Sequence, residues 1–485
     1  MVFIDGTVVN VALPVLQAEL NATLADAQWV VESYALFLAA LMLVGGSLGD
    51  HFGRRRIFAV GVALFAGASA WCGTSPNVHQ LIVARAVQGL GGALLTPGSL
   101  AIISASFTRE KRGQAIGTWS GFSAILAGSG PIVGGWLIDH ASWRWAFWIN
   151  VPLALITLTI VYWRVPESRD DSATGSLDWF GALLATAGLG CIVYGLIESS
   201  NSGVSAAHPL GLIALGVAAL AGFIVTEARS RAPMMPLPLF RSRTFTGANV
   251  LTLLLYSALS GALFFLPFNL IQIQDYTTTA AGASLLPFIL IMFLLSRLSG
   301  GLAARYGAKL LLIVGPLVAA FGFGLFALPD VGGSYWTTFF PAVLALGFGM
   351  AVSVAPLTTT VMGSVEQNHA GLASGINNAV ARTAGLLSLA VLGVLLFQTF
   401  SVSLDRRLET IDVPSQAKLE VQHHRAALAA MALPDNLSRE SRSALKKAVA
   451  ESFIAGFRLV MLVAAGLAVA SALTAWILIE PQHMR

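Results

Sequence analysis

Apolar residues along this chain come in long blocks. The alternating or every-third-and-fourth spacing of a water-exposed element is absent. Runs of about 20 apolar residues, each long enough to cross a ~30 Å hydrocarbon layer as a helix, recur from end to end with short polar connections between them. They predict spans over 1–20, 28–49, 57–74, 80–106, 114–138, 145–164, 177–198 and 209–228, and then over 244–272, 279–304, 310–328, 335–362, 373–400 and 453–481. Helices are the expected form, because lipid gives an unpaired backbone N–H or C=O nothing to bond with. The fold class is therefore an all-α polytopic membrane protein of about fourteen transmembrane helices.

Composition closes the main alternative. Only 11% of the 485 residues are charged, against roughly a quarter in a soluble domain, so a large water-soluble helical protein cannot be given an ordinary surface. The 48 glycines suit close helix crossings, where small residues let backbones approach. Cys72 and Cys191 lie inside apolar runs and read as packing residues, not as a disulfide or metal pair. The chain opens directly in an apolar helix, with no cleavable signal peptide expected.

The placement of charge gives orientation. One set of short connections holds Arg54, Arg55, Arg56, Arg109, Lys111, Arg112, Arg169, Arg229, Arg231, Arg241, Arg243, Arg305 and Lys309, while the opposite set holds essentially Arg144 alone. The positive-inside tendency makes the first set cytoplasmic, and an even span count then puts both termini there. Residues 401–452 are polar and mixed in charge and are expected to form an external loop, with short amphipathic helices over 426–433 and 439–451. Its His423–His424 pair lacks further ligands and reads as surface, so no metal site is expected.

An internal repeat sets the domain organisation. Val11-Ala-Leu-Pro14 matches Phe264-Phe-Leu-Pro267 at an offset of 253, and Gly46-Ser-Leu-Gly-Asp-His-Phe-Gly53 matches Gly300-Gly-Leu-Ala-Ala-Arg-Tyr-Gly307 at 254. Arg112-Gly-Gln-Ala-Ile-Gly117 resembles the segment ending at Gly375 at 258. Two pseudo-symmetric six-helix bundles follow, 1–164 and 244–485, the latter including loop 401–452. Spans 7 and 8 are inserted between them within 165–243. Parallel halves around a central site are a known transporter architecture.

Three places carry candidate chemistry. Asp5 is a carboxylate inside an apolar helix, where ionisable groups are costly and mark ion or proton paths. Arg85, a permanent cation in span 4, is its natural electrostatic partner, and Glu32 in span 2 is a second candidate acid. The connection after span 2, with Gly46, Asp50, Gly53 and Arg54, offers glycines for a tight turn and lets Asp50 pair with Arg54 or Arg112. Such a cluster can latch one conformation and release it in another. In span 5, Pro131 removes a backbone donor while Gly128, Gly130, Gly134 and Gly135 make a smooth face, a hinge or a proton-tight contact. Asn10, Tyr34, Trp119, Tyr256, Phe264, Phe265, Asn269 and Gln272 are weaker candidates for lining a substrate cavity, since aromatic faces suit apolar or cationic molecules. Gly89-Leu-Gly91-Gly92 lies mid-span with no strand before it and is not a dinucleotide loop. At the repeat offsets Asp5 falls on Ala258 and Asp50 on Ala304, so the acids are confined to the first half.

The loop Gly46-Ser-Leu-Gly-Asp50-His-Phe-Gly53-Arg-Arg-Arg56 resembles the signature loop of the major facilitator superfamily. Leu81-Ile-Val-Ala-Arg85-Ala-Val-Gln-Gly89 resembles its span-4 motif, and Gly128-Ser-Gly-Pro131-Ile-Val-Gly-Gly135 the motif associated with its antiporters. Ile4-Asp5-Gly-Thr-Val-Val-Asn10-Val-Ala-Leu-Pro14, Trp143-Arg-Trp-Ala-Phe-Trp-Ile-Asn150-Val-Pro152 and Leu237-Pro-Leu-Phe-Arg-Ser-Arg-Thr-Phe245 resemble the fourteen-span drug:proton antiporter branch. The resemblance implies a proton-coupled exporter of hydrophobic or amphipathic compounds, working by alternating access from a bacterial cell membrane. It also implies a longer lead-in than the four residues before Asp5. The proton is the expected coupling ion, with no other cofactor. The expected partners are the bilayer and small-molecule substrates, with no nucleic acid, and the chain is expected to be a monomer. A dedicated exporter of one endogenous metabolite, antibiotic or lipid is the alternative. A membrane enzyme or transporter-like receptor is remote, because an enzyme should show clustered histidines, a metal constellation or an activated nucleophile within the spans.

Overall fold

The computed structural model describes residues 1–106, 122, 126, 128–168, 179–202, 206–230, 235–365, 370–431 and 437–480. Its helices are α1 (Val2–Glu19), α2 (Leu24–Phe52), α3 (Arg54–Thr74), α4 (Val78–Ser106), α5 (128–140), α6 (Trp145–Trp148), α7 (Asn150–Arg164), α8 (Trp179–Ser202) and α9 (Ala207–Arg229). There follow α10 (Arg243–Phe268), a π turn (Asn269–Ile273), α11 (Thr278–Ala283), α12 (Leu286–Tyr306), α13 (Ala308–Phe326), α14 (Tyr335–Thr338) and α15 (Phe340–Gly363). The last are α16 (Ala370–Thr410), α17 (Ser415–His423), a 3-10 turn (Arg425–Ala430) and α18 (Arg439–Leu478). Thirteen helices among the described residues are long and apolar enough to cross a membrane, and much of the expected fifth span lies outside the described residues.

Prolines inside helices break the ladder where expected. Pro267 withdraws a donor near the end of α10, and the chain continues as a π turn. Pro152 leaves the Trp148 carbonyl without its i+4 donor, and α6 and α7 part at Ile149. Apolar side chains stand exposed along whole helix faces, as with Leu210, Leu215, Val217, Ile224 and Val225 on α9. Such faces suit lipid, not water. Exposed Trp136 and Trp145 near one end of their helices, and Tyr162, Trp163, Trp179 and Phe180 near the basic connections, are placed as interfacial aromatics.

By internal contacts the chain falls into two compact units. The first comprises Met1–Leu16, Asp26–Gly195 and Ser205–Pro236, and the second Gln17–Ala25, Leu196–Val204 and Leu237–Arg485. Most of α8 and α9 joins the first unit, where Trp29 packs on Tyr194 with ring centroids 5.7 Å apart and Gly190 meets Leu36. Gly188 and Gly216 bring α8 and α9 together, a Cβ on Gly216 falling 2.6 Å from the Gly188 carbonyl oxygen.

The repeat is visible in the packing of each unit. In the first, a Cβ on Gly61 of α3 would lie 3.1 Å from the Gly91 carbonyl oxygen of α4. In the second, a Cβ on Gly315 of α13 would lie 2.9 Å from that of Gly349 of α15, the same seam at offsets 254 and 258. The Gly89–Gly92 run is therefore a helix-crossing face: Gly89 abuts the Tyr34 carbonyl, Gly91 the Phe65 backbone and Gly92 the Leu38 side chain.

The region 401–452 differs most from expectation. The polar stretch is largely helical: α16 runs on to Thr410, α17 occupies Ser415–His423, and the helix expected over 439–451 forms as the start of α18, continuous with the last span. Arg407 pairs with Glu451 across α16 and α18, and Gln422 donates to Asp405 at 3.0 Å. The expected 426–433 helix is a 3-10 turn over Arg425–Ala430, kinked at Leu428 with φ +53°. Gln17 donates to the Ala427 carbonyl at 3.2 Å and accepts from Gln272 at 3.1 Å, tying the α1–α2 turn into this region of the second unit.

Candidate functional site

Four neutral or charged polar side chains surround Asp5 in the first unit, where apolar burial is otherwise the rule. Asp5 stands on the first turns of α1, and α1 exposes a different face: Phe3 and Gly6 are exposed, Asn10 half-buried. At 100° per residue Asp5 points about a third of a turn away from that face, into the bundle. There its Oδ2 accepts from Arg85 Nη1 at 2.6 Å, and Oδ1 accepts from Gln88 Nε2 at 2.9 Å and Asn150 Nδ2 at 3.1 Å. Asp5, Gln88, Asn150 and Ser69 are fully buried and Arg85 is 1% exposed.

The arginine is held as firmly as the acid. Its Nε donates to the Val30 carbonyl of α2 at 2.9 Å and its Nη1 also donates to Gln88 Oε1 at 2.8 Å. Its guanidinium lies 4.1 Å from the centroid of the Tyr34 ring, a cation–π contact strengthened by desolvation. Arg85 sits seven residues into α4, ~10 Å along the helix, within a segment long and apolar enough to cross a membrane. Asp5 and Arg85 therefore form a sealed ion pair, costly to break because removing one partner leaves the other charged and unpaired.

Helix α5 closes one side of this site with glycine. A Cβ on Gly130 would lie 3.3 Å from the Ile4 carbonyl oxygen and clash with Thr7, and one on Gly134 would lie 2.7 Å from Val8 Cγ1. Gly128, Gly130, Pro131, Gly134 and Gly135 are all buried. The turn of α1 that bears Asp5 is thus seated on the glycine face of α5.

Glu32 is different. It is 1% exposed, and both its carboxylate oxygens lack a hydrogen-bond partner. Asp5 accepts three hydrogen bonds, whereas nothing among the described residues donates to the buried acid Glu32.

At the basic side, the loop after α2 turns at Gly53 with φ +105° and ψ +124°, a conformation open essentially to glycine. Gly307 makes the repeat-related turn with φ +83°. Among the described residues Glu167 is an acid that binds this loop, and sequence reasoning missed it. Its Oε1 accepts from the Arg55 backbone N–H at 2.9 Å, and its Oε2 lies 3.8 Å from Arg55 Nε and 3.6 Å from Arg56 Nε. The Arg54 N–H donates to the Ser168 carbonyl at 2.8 Å and Arg55 Nη1 to the Val165 carbonyl at 3.1 Å. Gly46 packs near Pro97. Arg112, Trp119 and the side chain of Asp50 lie outside the described residues. Gly53→Ala is expected to lower stability by ~1–3 kcal/mol from backbone strain. The new Cβ would also fall 2.8 Å from the Glu167 carboxylate. Thermal unfolding of the purified variant checks this, and Gly307→Ala, with open space around it, should show the strain alone.

The cavity candidates scatter. Tyr34 serves Arg85, while Phe264 and Phe265 are 1% and 0% exposed, packed edge to face in the second unit. Asn269 is buried and accepts from Gln274, and Gln272 is occupied with Gln17. Phenylalanine fills packed helix seams as readily as it lines cavities, and Phe264 and Phe265 stand in such a seam. Asn10 and Tyr256 remain half-buried.

A helical membrane bundle of two compact units, one of them holding a buried ion pair, is the arrangement expected of a secondary transporter. The family model for the Major Facilitator Superfamily matches residues 1–389, and the chain belongs to that superfamily. It is 34% identical to a tetracenomycin C resistance and export protein of Streptomyces glaucescens over 98% of this chain and 88% of that protein. It is 31% identical to the multidrug resistance protein Stp of Mycobacterium tuberculosis over 98% and 89%. A puromycin resistance protein of Streptomyces alboniger is 35% identical over 81% and 78%. Among solved structures, a bacterial homolog of the human lysosomal transporter Spinster, in an inward-facing occupied conformation, matches with a TM-score of 0.65 at 16% identity, over 98% of this chain and 93% of that one. That likeness concerns the fold.

Proposed function

We propose that this chain is a proton-coupled antiporter that exports hydrophobic or amphipathic compounds, antibiotics among them, by alternating access. The observation that carries the coupling is the Asp5–Arg85 pair, a buried acid ion-paired with a cation on another helix of the same half. Proton uptake by Asp5 would remove the attraction that holds α1 to α4, and proton loss would restore it. Protonation thereby becomes a mechanical event. Glu32, buried without a donor, is the second acid able to carry a proton through apolar surroundings. Three of the relatives named for resistance support the cargo class. Because two of those are named for a single antibiotic, a dedicated exporter of one compound is the second reading.

The remaining roles follow from that reading. The basic connections face the cytoplasm of a bacterial cell, with both termini inside. The proton is the coupling ion, no other cofactor takes part, and the monomer works in the bilayer on small molecules without nucleic acid or enzymatic chemistry. Reconstitution of the full chain into vesicles, with an imposed pH gradient and a panel of dyes and drugs, tests the proposal. Uptake should follow the gradient and stop when a protonophore collapses it. Cargo movement indifferent to that collapse would refute proton coupling.

A further inference from the structure

The hydrogen bonds around Asp5 contain a second layer that the ion pair does not require. Ser69 of α3 is its pivot. The Ser69 hydroxyl donates to the Phe147 carbonyl at 2.8 Å, which commits its only hydrogen. Its oxygen then accepts from Gln88 Nε2 at 3.2 Å and from Asn150 Nδ2 at 3.1 Å. Each of these two amides has two N–H groups, and each spends one on Ser69 and one on Asp5 Oδ1. The pivot therefore fixes which way both amides face, presenting donors and not acceptors to the carboxylate. Asn150 Oδ1 is left buried without a partner. That is the cost of aiming its nitrogen at Asp5, since an unsatisfied buried acceptor is unfavourable.

A purely structural role does not account for this arrangement, because the second unit builds the same helix seam without it. At the repeat offsets Asp5, Ser69, Arg85 and Gln88 fall on Ala258, Phe323, Val343 and Leu346, all buried and apolar. A six-helix half packs with apolar residues in those places, so the polar cage belongs to the chemistry of the first half.

We propose that Asn150, anchored through Ser69, is a positioning residue that holds the Asp5 carboxylate in the orientation from which its proton is exchanged. The inference rests on the reading of Asp5 as the proton carrier. The charged and titratable groups facing this point are Asp5 and the Met1 ammonium from α1, Tyr34 from α2, Cys72 from α3 and Arg85 from α4. Helix α5 contributes glycine and α7 contributes Asn150 itself. Donors to an ionised carboxylate favour that form, so removing one lets the acid keep its proton to higher pH.

The test uses the purified full chain. The carboxyl band that disappears in Asp5→Asn is titrated by infrared difference spectroscopy in wild type, Asn150→Ala, Ser69→Ala and the double variant. The pH profile of gradient-driven efflux of a fluorescent lipophilic cation is measured alongside. In Asn150→Ala the titration midpoint should move to higher pH by about one unit, the scale of one charge-assisted hydrogen bond, and the efflux profile should move with it. Ser69→Ala removes a single oxygen and preserves volume. It should move both in the same direction by less, and the double variant should go no further than Asn150→Ala. A titrating Asp5 band left unmoved by both single variants overturns the proposal alone. An Asp5 band that never titrates overturns the proton-carrier reading, and the proposal falls with it.

Discussion

Asp5→Asn is expected to abolish proton-driven efflux and also to lower the melting temperature of the protein, and the two effects should separate in a second variant. The substitution removes the exchangeable proton and leaves the Arg85 guanidinium, 1% exposed, without its counter-charge. Breaking a buried pair from one side costs about 3–5 kcal/mol. Combining Asp5→Asn with Arg85→Gln removes both charges, and the amides can bond to one another and to Gln88. Thermal stability should then largely return while gradient-driven efflux stays at background. Stability restored together with efflux would mean that the pair serves the fold only. Glu32→Gln makes the contrast, because neither carboxylate oxygen there has a donor to lose. It should leave stability near wild type whatever it does to transport.

How much of this was legible in the sequence depends on how costly each feature is in lipid. The spans were readable because unpaired backbone is intolerable in hydrocarbon, so apolar blocks of helix length have one interpretation. Asp5 and Arg85 were readable for the same reason, charge being rare there. Gln88 and Ser69 were not. A neutral amide or hydroxyl is cheap enough in a helix to occur without function, and the two lie on different helices, 19 residues apart. The sequence signal for Gln88 was its position three residues after Arg85, on the same helix face. Glu167 was hidden because an acid in a polar connection is ordinary, and only the fold brings it to the Gly53 turn, 112 residues away from Arg55. The extension of α16 to Thr410 was hidden too, as was the continuity of the expected 439–451 helix with the last span. Hydropathy marks where apolar sequence stops, whereas a helix runs on through polar residues until a cap, a glycine or a proline ends it. Residues 439–452 continue the last span as an amphipathic segment with Lys447 and Glu451 paired at i, i+4.

The seam between α1 and α5 gives a prediction of comparable size. Gly134 receives Val8, and a Cβ there already falls 2.7 Å from Val8 Cγ1. Gly134→Leu must therefore push α1 aside, at an overpacking cost of about 1–3 kcal/mol. The larger consequence is geometric. The Asp5 contacts lie at 2.6–3.1 Å, and a shift of ~1 Å takes such bonds past their useful range. Efflux should fall to background while the protein still inserts. The second unit shows how the same seam is filled the other way round. Gly134 and Val8 correspond to Leu392 and Gly261 at offsets 258 and 253, and there the leucine enters the space the glycine leaves, with Leu392 Cγ 3.5 Å from the Gly261 Cβ position. Combining Gly134→Leu with Val8→Gly copies that exchange into the first unit. The double variant should recover a substantial part of both stability and efflux, which a vesicle assay and thermal unfolding would measure side by side. Recovery of stability without efflux would mean that the glycine face of α5 does more than seat the turn that carries Asp5. Recovery of neither would mean that the two units do not share this register.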